Sequence, residues 1–359
     1  MNIRELKQKE FGEILNNYKG DCAALISPRF GKTRMIINNC FKDQNILIAY
    51  PSLPIKASWK NEFKELSIED NNITYTTFAS LKKLELAQFD LIIIDECHKL
   101  SDNNVNQISK IHGKKIYMSG TISSKTRLKL RILNAPILIE YPIEQAVKDC
   151  VIADFEINVI YTTLEDKLKK SYNSISHKIE EIKYEIKSYG LLKILSLRRM
   201  RMLHRSENKI ICLQEIIKNL EGKRFLVFTS ETLLANHLGI PAYHSLNKNE
   251  KLKEDFCNGI GNSLVVLKMF NQGVTVKPIN SCVIHNYSSN PEELAQQLNR
   301  VTAFEYNNAD KKAKVYITCI KDTQEEIWLQ RALEFVPREK IFYYSWKENT
   351  FKQINYGKQ

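Results

Sequence analysis

Eight apolar runs of strand length, separated by stretches long enough for helices, constrain this chain more than any other feature. Ala23–Ser27, Ile46–Tyr50, Leu91–Asp95 and Lys115–Ser119 lie in the first half, and Arg224–Thr229, Ser263–Lys268, Ser281–Asn286 and Lys314–Ile320 in the second. A strand with one wet face alternates apolar and polar residues. A contiguous apolar run needs cover on both faces, which parallel sheets with βαβ crossovers supply. The pattern predicts an α/β fold with parallel sheets. A length of 359 residues, at about 150 per domain, allows two such domains. The expected division is 1–150 for the first, 151–207 for a linker with a helical insert, and 208–359 for the second.

The insert stands apart. From Leu164 to Arg205 turn residues are few, and Ile175, Ile179, Ile182 and Ile186 draw one apolar stripe at helical spacing. Gly190 is the expected break into a helical hairpin, and the apolar face is expected to pack on one α/β domain. Its basic end, Arg198, Arg199, Arg201, His204 and Arg205, is a candidate surface for a phosphate backbone.

Composition narrows the classes. Hydrophobic residues make up 43% and charged residues 26%, which excludes a disordered, collagen-like or mucin-like chain. No apolar run reaches the roughly 18 residues of a membrane helix, and Met1–Glu10 is charged throughout. No membrane partner is expected, and the chain reads as cytoplasmic. Lys and Arg number 53 against 41 Asp and Glu, a net +12. Such a surplus favours a polyanionic partner such as nucleic acid, although a Lys-rich composition also follows from an AT-rich genome. The eight cysteines are scattered without a CxxC pair, and several, such as Cys212 and Cys319, sit in apolar runs. They are expected to be reduced core thiols, not disulfides or zinc ligands.

Two segments carry chemistry. Ser27-Pro28-Arg29-Phe30-Gly31-Lys32-Thr33 follows a strand and precedes a helical stretch beginning at Arg34, the setting of a phosphate-binding loop. Backbone N–H groups at the helix start would face the phosphates. Lys32 would reach the β- and γ-phosphates, and the Thr33 hydroxyl would ligate Mg²⁺. Leu91-Ile92-Ile93-Ile94 then runs straight into Asp95-Glu96-Cys97-His98, placing two carboxylates at the end of a buried strand, where open α/β sheets bind ligands. Asp95 would hold Mg²⁺ and Glu96 would orient or deprotonate the attacking water. Together the segments predict an ATP site with Mg²⁺, in which Arg29, Phe30, Gly31, Lys32, Thr33 and Arg34 form the nucleotide-binding set.

At this point the chain resembles the superfamily 2 helicases and translocases, whose fold is two tandem RecA-like parallel-sheet domains. Gln8, 24 positions before Lys32, resembles the upstream glutamine that reads adenine. Tyr50-Pro51-Ser52-Leu53, followed by Trp59, looks like motif Ia, and Thr76-Thr77-Phe78-Ala79-Ser80-Leu81 like the next strand-contacting motif. Asp95-Glu96-Cys97-His98 looks like motif II, and Ser119-Gly120-Thr121 like motif III, which couples nucleotide and nucleic acid through His98, Ser119 and Thr121. Phe225–Ser230 looks like motif IV, Phe270-Asn271-Gln272-Gly273-Val274-Thr275 like motif V, and Gln296-Gln297-Leu298-Asn299-Arg300 like motif VI. The resemblance implies nucleotide contacts from Gly273, Thr275 and Gln296, and an arginine, Arg300, facing the γ-phosphate across a cleft between two lobes. It implies nucleic-acid contacts from Ser52, Lys56, Thr77, Thr229 and Ser230. Within the superfamily, Glu144-Gln145-Ala146-Val147, Val151–Phe155 and Gly273-Val274-Thr275 look like the phage UvsW-type recombination helicases.

The chain departs from the family pattern at Arg29 and Phe30 in the phosphate loop, at Ala303 where motif VI usually has a second arginine, and in the missing acidic residue of motif V. The expected function is an ATP-dependent helicase or translocase, acting as a monomer on single-stranded or branched DNA. The alternatives are an RNA helicase, the motor subunit of a restriction or defence complex, and a weakly hydrolysing clamp. Phe342-Tyr343-Tyr344-Ser345-Trp346 is expected to be a terminal core element, with a base-stacking wedge as the other reading.

Overall fold

A computed structural model of the chain describes residues 2–41, 44–84, 86–120, 124–185, 188–267, 276–303 and 311–354. The chain forms two compact units. One is built on Met1–Asp154 with the described part of Ala295–Lys311, and the other on the described parts of Phe155–Met269, Val276–Leu294 and Lys312–Gln359.

The first unit opens with α1 (Ile3–Asn17), whose start is closed by a reciprocal capping box between Asn2 and Glu5. There follow β1 (Cys22–Ile26), α2 (Lys32–Cys40), β2 (Ile46–Tyr50), α3 (Leu53–Glu65), β3 (Ile73–Thr77), β4 (Gln88–Ile94), α4 (Asp102–Ile108), β5 (His112–Ser119), α5 (Ser124–Ile132), β6 (Ile137–Tyr141) and α6 (Ile143–Lys148). The strands form one sheet in the order β3-β2-β4-β5-β1-β6, and every pairing is parallel. Leu47, Ile92, Ile94 and Tyr117 pack on one face against Phe78, Leu81, Ile108 and Leu130. Their neighbours Ile48, Ile93 and Ile116 point to the other face and are equally buried. This double cover is why these strands read as unbroken apolar runs.

The second unit comprises β7 (Asp154–Thr162), α7 (Asp166–Ile182), α8 (Tyr189–His204), α9 (Glu207–Asn219), β8 (Phe225–Phe228), α10 (Thr232–His237), β9 (Ala242–Tyr243), α11 (Glu250–Cys257), β10 (Ser263–Val266), β11 (Ser281–Ile284), α12 (Pro291–Leu298), β12 (Lys312–Ile320), α13 (Gln324–Ala332), β13 (Ile341–Lys347) and β14 (Thr350–Ile354). The last residues of α12, from Ala295, group with the first unit. The sheet order is β14-β13-β7-β12-β11-β8-β10-β9. Strands β8 to β12 pair in parallel, as do β13 and β7. The terminal pair β13–β14 is antiparallel, so this sheet is mixed where a parallel one was expected.

All eight apolar runs are strands. The stretch 151–207, read as linker, contains β7, which sits inside the second sheet between β13 and β12. The helical hairpin is present, but α7 ends at Ile182 and Gly190 lies in the first turn of α8, not at the break. Ile175 and Ile179 pack on Leu195 of α8, so these residues close the hairpin on itself where packing on an α/β domain was expected, and Ile186 lies outside the described residues. Part of the basic end turns inward. Arg199 is buried, with Nη1 3.4 Å from Ser176 Oγ and Nη2 3.2 Å from Gln324 Oε1, while Arg205 pairs with Glu231 at 2.8 Å. Arg198 and Arg201 stay exposed. All eight cysteines are free thiols, and Cys150 is exposed rather than in the core. Among the described residues, no helix is long and apolar enough to cross a membrane.

His285 gives the fold a pH response. It is wholly buried beyond the end of β11, with Nδ1 3.0 Å from Thr318 Oγ1 and Nε2 3.4 Å from the His204 carbonyl. Burial, aided by the Lys209 charge, holds its pKa well below 6.5. The unfolded chain, titrating near 6.5, therefore binds more protons below that pH, and folded stability falls on acidification. We expect the parent to lose up to about 1.4 kcal/mol per pH unit below about pH 6.5 relative to His285→Gln. Urea unfolding from pH 7 to 5.5 reads this; identical slopes for the two proteins would remove His285 as the cause.

Candidate nucleotide site

Strand β1 runs into the loop Ser27–Gly31, and α2 starts at Lys32. Arg29 and Gly31 take positive φ, 63° and 87°. A Cβ at Gly31 would lie 2.5 Å from Gln8 Nε2, so both conformation and space call for glycine there. Gln8 is buried and donates from Nε2 to the Phe30 carbonyl at 2.6 Å, holding the loop in place. The first turn of α2 leaves backbone N–H groups without helical partners, a natural place for phosphate. Lys32 Nζ bends back over its own loop, 3.4 Å from the Ile26 carbonyl. Thr33 follows in the same turn, half-buried.

The acidic pair comes from β4. Because β5 lies between β4 and β1, the three strands deliver their ends side by side: the phosphate loop, Asp95-Glu96 and Ser119-Gly120. Asp95 is 8% exposed. Its Oδ2 accepts from Trp59 Nε1 at 2.9 Å and its Oδ1 from the Glu96 N–H at 2.9 Å. Burial, then the neighbouring Glu96 charge, pushes its pKa up to about 6, against the Trp59 hydrogen bond and the Lys32 charge. A carboxylate beside the phosphate loop's ammonium suits an oxygen-seeking divalent cation. Thr33 and Asp95 are the residues that would hold Mg²⁺.

Glu96 adopts φ 53°, uncommon outside glycine and concentrated at functional sites. Its Oε2 lies 3.3 Å from His98 Nδ1, which is also 2.9 Å from Ser119 Oγ at the end of β5. A protonated Nδ1 can donate to the carboxylate; an unprotonated one can only accept from the serine hydroxyl. Motifs II and III thus share one ring nitrogen. A Cβ on Gly120 would stand 2.9 Å from Pro28 Cγ and 3.7 Å from Lys32 Nζ, so the turn after β5 approaches the phosphate loop closely.

The other expected residues have defined surroundings. Phe30 is fully buried, stacked on Phe11 at 5.5 Å and edge-on to Tyr141 at 5.2 Å, so its ring belongs to the core. Arg34 pairs with Glu62 and Glu65 of α3. Arg29 donates from Nε to the Asn299 carbonyl at 2.9 Å, and burial, with the Arg4 charge, lowers its pKa. Arg300 follows α12 and is 9% exposed; Gln296 lies within that helix, half-buried. Thr121, Gly273 and Thr275 lie outside the described residues. Among the nucleic-acid candidates, Ser52 is the N-cap of α3 and Lys56 lies over the Tyr75 ring at 5.4 Å. Thr77 Oγ1 donates to Ser80 Oγ at 3.2 Å. Thr229 is buried and donates to Asn286 Oδ1 at 2.8 Å, and the Ser230 hydroxyl meets His204 Nδ1 at 3.2 Å. The Thr229 hydroxyl is therefore committed inside the protein.

The Trp59–Asp95 hydrogen bond joins residues 36 apart, a contact that motif spacing does not reveal. Trp59→Phe removes a donor from a carboxylate that stays buried. We expect a loss of about 1–3 kcal/mol of stability, measured by urea unfolding; an unchanged midpoint would mean that the indole N–H contributes nothing.

The family described as Type III restriction enzyme, res subunit, matches residues 69–124. The DNA 3'-5' translocase XPB2 of Sulfurisphaera tokodaii is 21% identical over 332 residues, spanning 78% of this chain and 73% of its own. The S. cerevisiae Dbp5 structure bound to RNA and ADP BeF3 superposes with a TM-score of 0.60 at 12% identity, over 94% of this chain and 89% of that one. The Pyrococcus furiosus Hef helicase domain gives 0.54 at 14% identity, over 93% and 98%. The fold is that of these solved helicase structures, with RecA-like α/β units, and the sequence is similar to the restriction-subunit family over residues 69–124 and to the translocase.

Proposed function

We propose that the chain is an ATP-driven motor on DNA, able to move along a strand or remodel branched DNA in the manner of the UvsW-type helicases it resembles. The observation that carries this reading is the convergence of Lys32, Asp95, Glu96 and the Ser119-Gly120 turn at the ends of three adjacent strands. Lys32 would neutralise the β- and γ-phosphates, and Glu96 would orient and deprotonate the attacking water. Thr33 and Asp95 would hold Mg²⁺, which would supply positive charge against the phosphates. Arg300 would add charge stabilisation in the transition state. The Glu96–His98–Ser119 link would pass the state of the carboxylate to the turn after β5. A nucleic-acid partner is favoured by the +12 net charge, and DNA over RNA by the translocase relative. The family match at 69–124 supports a second reading, the motor subunit of a restriction complex, with the same chemistry. Monomeric action in the cytoplasm belongs to the same proposal.

ATP hydrolysis should rise when DNA is added. Half-maximal DNA concentration should climb steeply with salt, because phosphate contacts release counterions, and should vary little with base sequence. Steady-state ATPase assays with single-stranded DNA, forked DNA, Holliday junctions and RNA test this. Stimulation by RNA alone would replace DNA with RNA; no stimulation by any strand would end the motor reading.

A further inference from the structure

The second unit carries a cavity that the nucleotide chemistry does not use. It has a volume of about 260 Å³ and lies where α9 ends over the sheet, against β7, β12 and the β13–β14 hairpin. Its lining includes Glu156 and Asn158 of β7, Lys314 and Tyr316 of β12, Tyr344 of β13 and Phe351 of β14. The cause is architectural. Helix α9 covers Ile160 with Ile216 and Leu220, but the sheet continues two strands further, leaving Tyr316, Tyr344 and Phe351 only partly buried.

We infer that this cavity binds one unpaired nucleobase of a strand that the protein engages. Aromatic side chains give every base a surface to stack on. The polar groups are equally selective. Asn158 is 5% exposed and donates one N–H to Glu156 Oε1 at 3.5 Å; its second N–H and its carbonyl match the pairing that base edges display. Glu156 adds an acceptor, held charged by Lys312 at 3.2 Å and Lys314 at 3.3 Å. Lys314 is exposed at the rim, placed to meet a backbone phosphate. An aliphatic chain or a partner's aromatic side chain would desolvate Asn158 and Glu156 without compensation. A lone phosphate would meet the Glu156 carboxylate. The volume falls below the roughly 300 Å³ where pockets for drug-sized ligands begin, which suits one planar ring system.

The inference rests on the nucleic-acid reading and can fail apart from it. The full chain is mixed with a single-stranded DNA carrying one 5-iodouracil, irradiated, and the crosslinked peptide identified by mass spectrometry. Crosslinks to Tyr316, Tyr344 or Phe351 are expected. Tyr344→Ala should weaken strand binding about tenfold, the scale of one lost stack, while parent and variant bind a fully abasic strand alike. Lys314→Glu, at an exposed position that leaves the core intact, should weaken the intact strand as well, which keeps the test open if Tyr344→Ala does not fold. Protection of the same peptides by dAMP, without strand crosslinks, would keep base binding and make the free nucleotide its source. A strand bound and crosslinked only elsewhere overturns the pocket alone. No strand bound at all overturns the pocket together with the nucleic-acid reading.

Discussion

Glu96→Gln should lower DNA-stimulated ATP hydrolysis by about 10²–10⁴-fold, the usual contribution of a positioned general base, while ATP still binds. The amide has the size of the carboxylate but cannot accept the proton of the attacking water. Binding survives because the groups that would hold phosphate, Lys32 and the N–H groups opening α2, belong to a loop fixed by Gln8 and by the turn at Gly31. The substitution also changes the neighbour of His98: a carboxylate 3.3 Å from Nδ1 becomes an amide, while Ser119 Oγ remains at 2.9 Å. If Glu96 and Ser119 compete for that nitrogen, the variant should still bind DNA but lose the influence of nucleotide on DNA affinity. Single-turnover hydrolysis at saturating DNA, with DNA titrations in the presence and absence of ATP, separates the two effects. Hydrolysis within threefold of the parent would remove Glu96 from the role of base.

Which parts of the molecule can be read from residues alone follows from local physics. A strand covered on both faces must be apolar throughout, so β1, β2, β8 and β11, each wholly buried, announce themselves. Strand β7 does not, because Glu156 and Asn158 interrupt its run on the face that lines the cavity. The β13–β14 hairpin turns through Glu348 and Asn349, both at positive φ, 48° and 61°, without the Asn-Gly or Asp-Gly pair that usually marks such a turn. In the site, the phosphate loop and the acidic pair are contiguous motifs and could be read directly. The use of Phe30 as core, the attachment of Arg34 to α3 and the Trp59–Asp95 bond depend on residues far apart in sequence. Motif spacing cannot carry such contacts, because they arise from how α1, α3 and β6 pack around the loop.

The largest single stability effect is expected at Lys209 and Glu325. Lys209 on α9 and Glu325 on α13 are 0% and 1% exposed and form an ion pair through Lys209 Nζ and Glu325 Oε1. Glu325 Oε2 also accepts from the Ile320 N–H at 2.9 Å, and Lys209 Nζ lies 5.6 Å from the Tyr287 ring centroid. Even so, burial outweighs the attraction of Lys209 and raises the Glu325 pKa above its ordinary value. Lys209→Met keeps the bulk but leaves this carboxyl buried with no cation. Breaking a buried pair in this way costs about 3–5 kcal/mol. The sign of the pH response follows. In the variant the Glu325 pKa rises further, so the folded protein binds a proton that the unfolded chain releases above about pH 4.3. The deficit should therefore shrink towards pH 5 and widen towards pH 8. Removing both charges, Lys209→Met with Glu325→Leu, should recover most of the loss, since apolar replacement of a buried pair is often neutral or stabilising by about 1–4 kcal/mol. Urea unfolding of the parent, the single variant and the double variant at pH 5 and pH 8 decides the matter. A single variant within about 1 kcal/mol of the parent at pH 8 would mean that water reaches Glu325 and that the pair does not fasten α9 to α13.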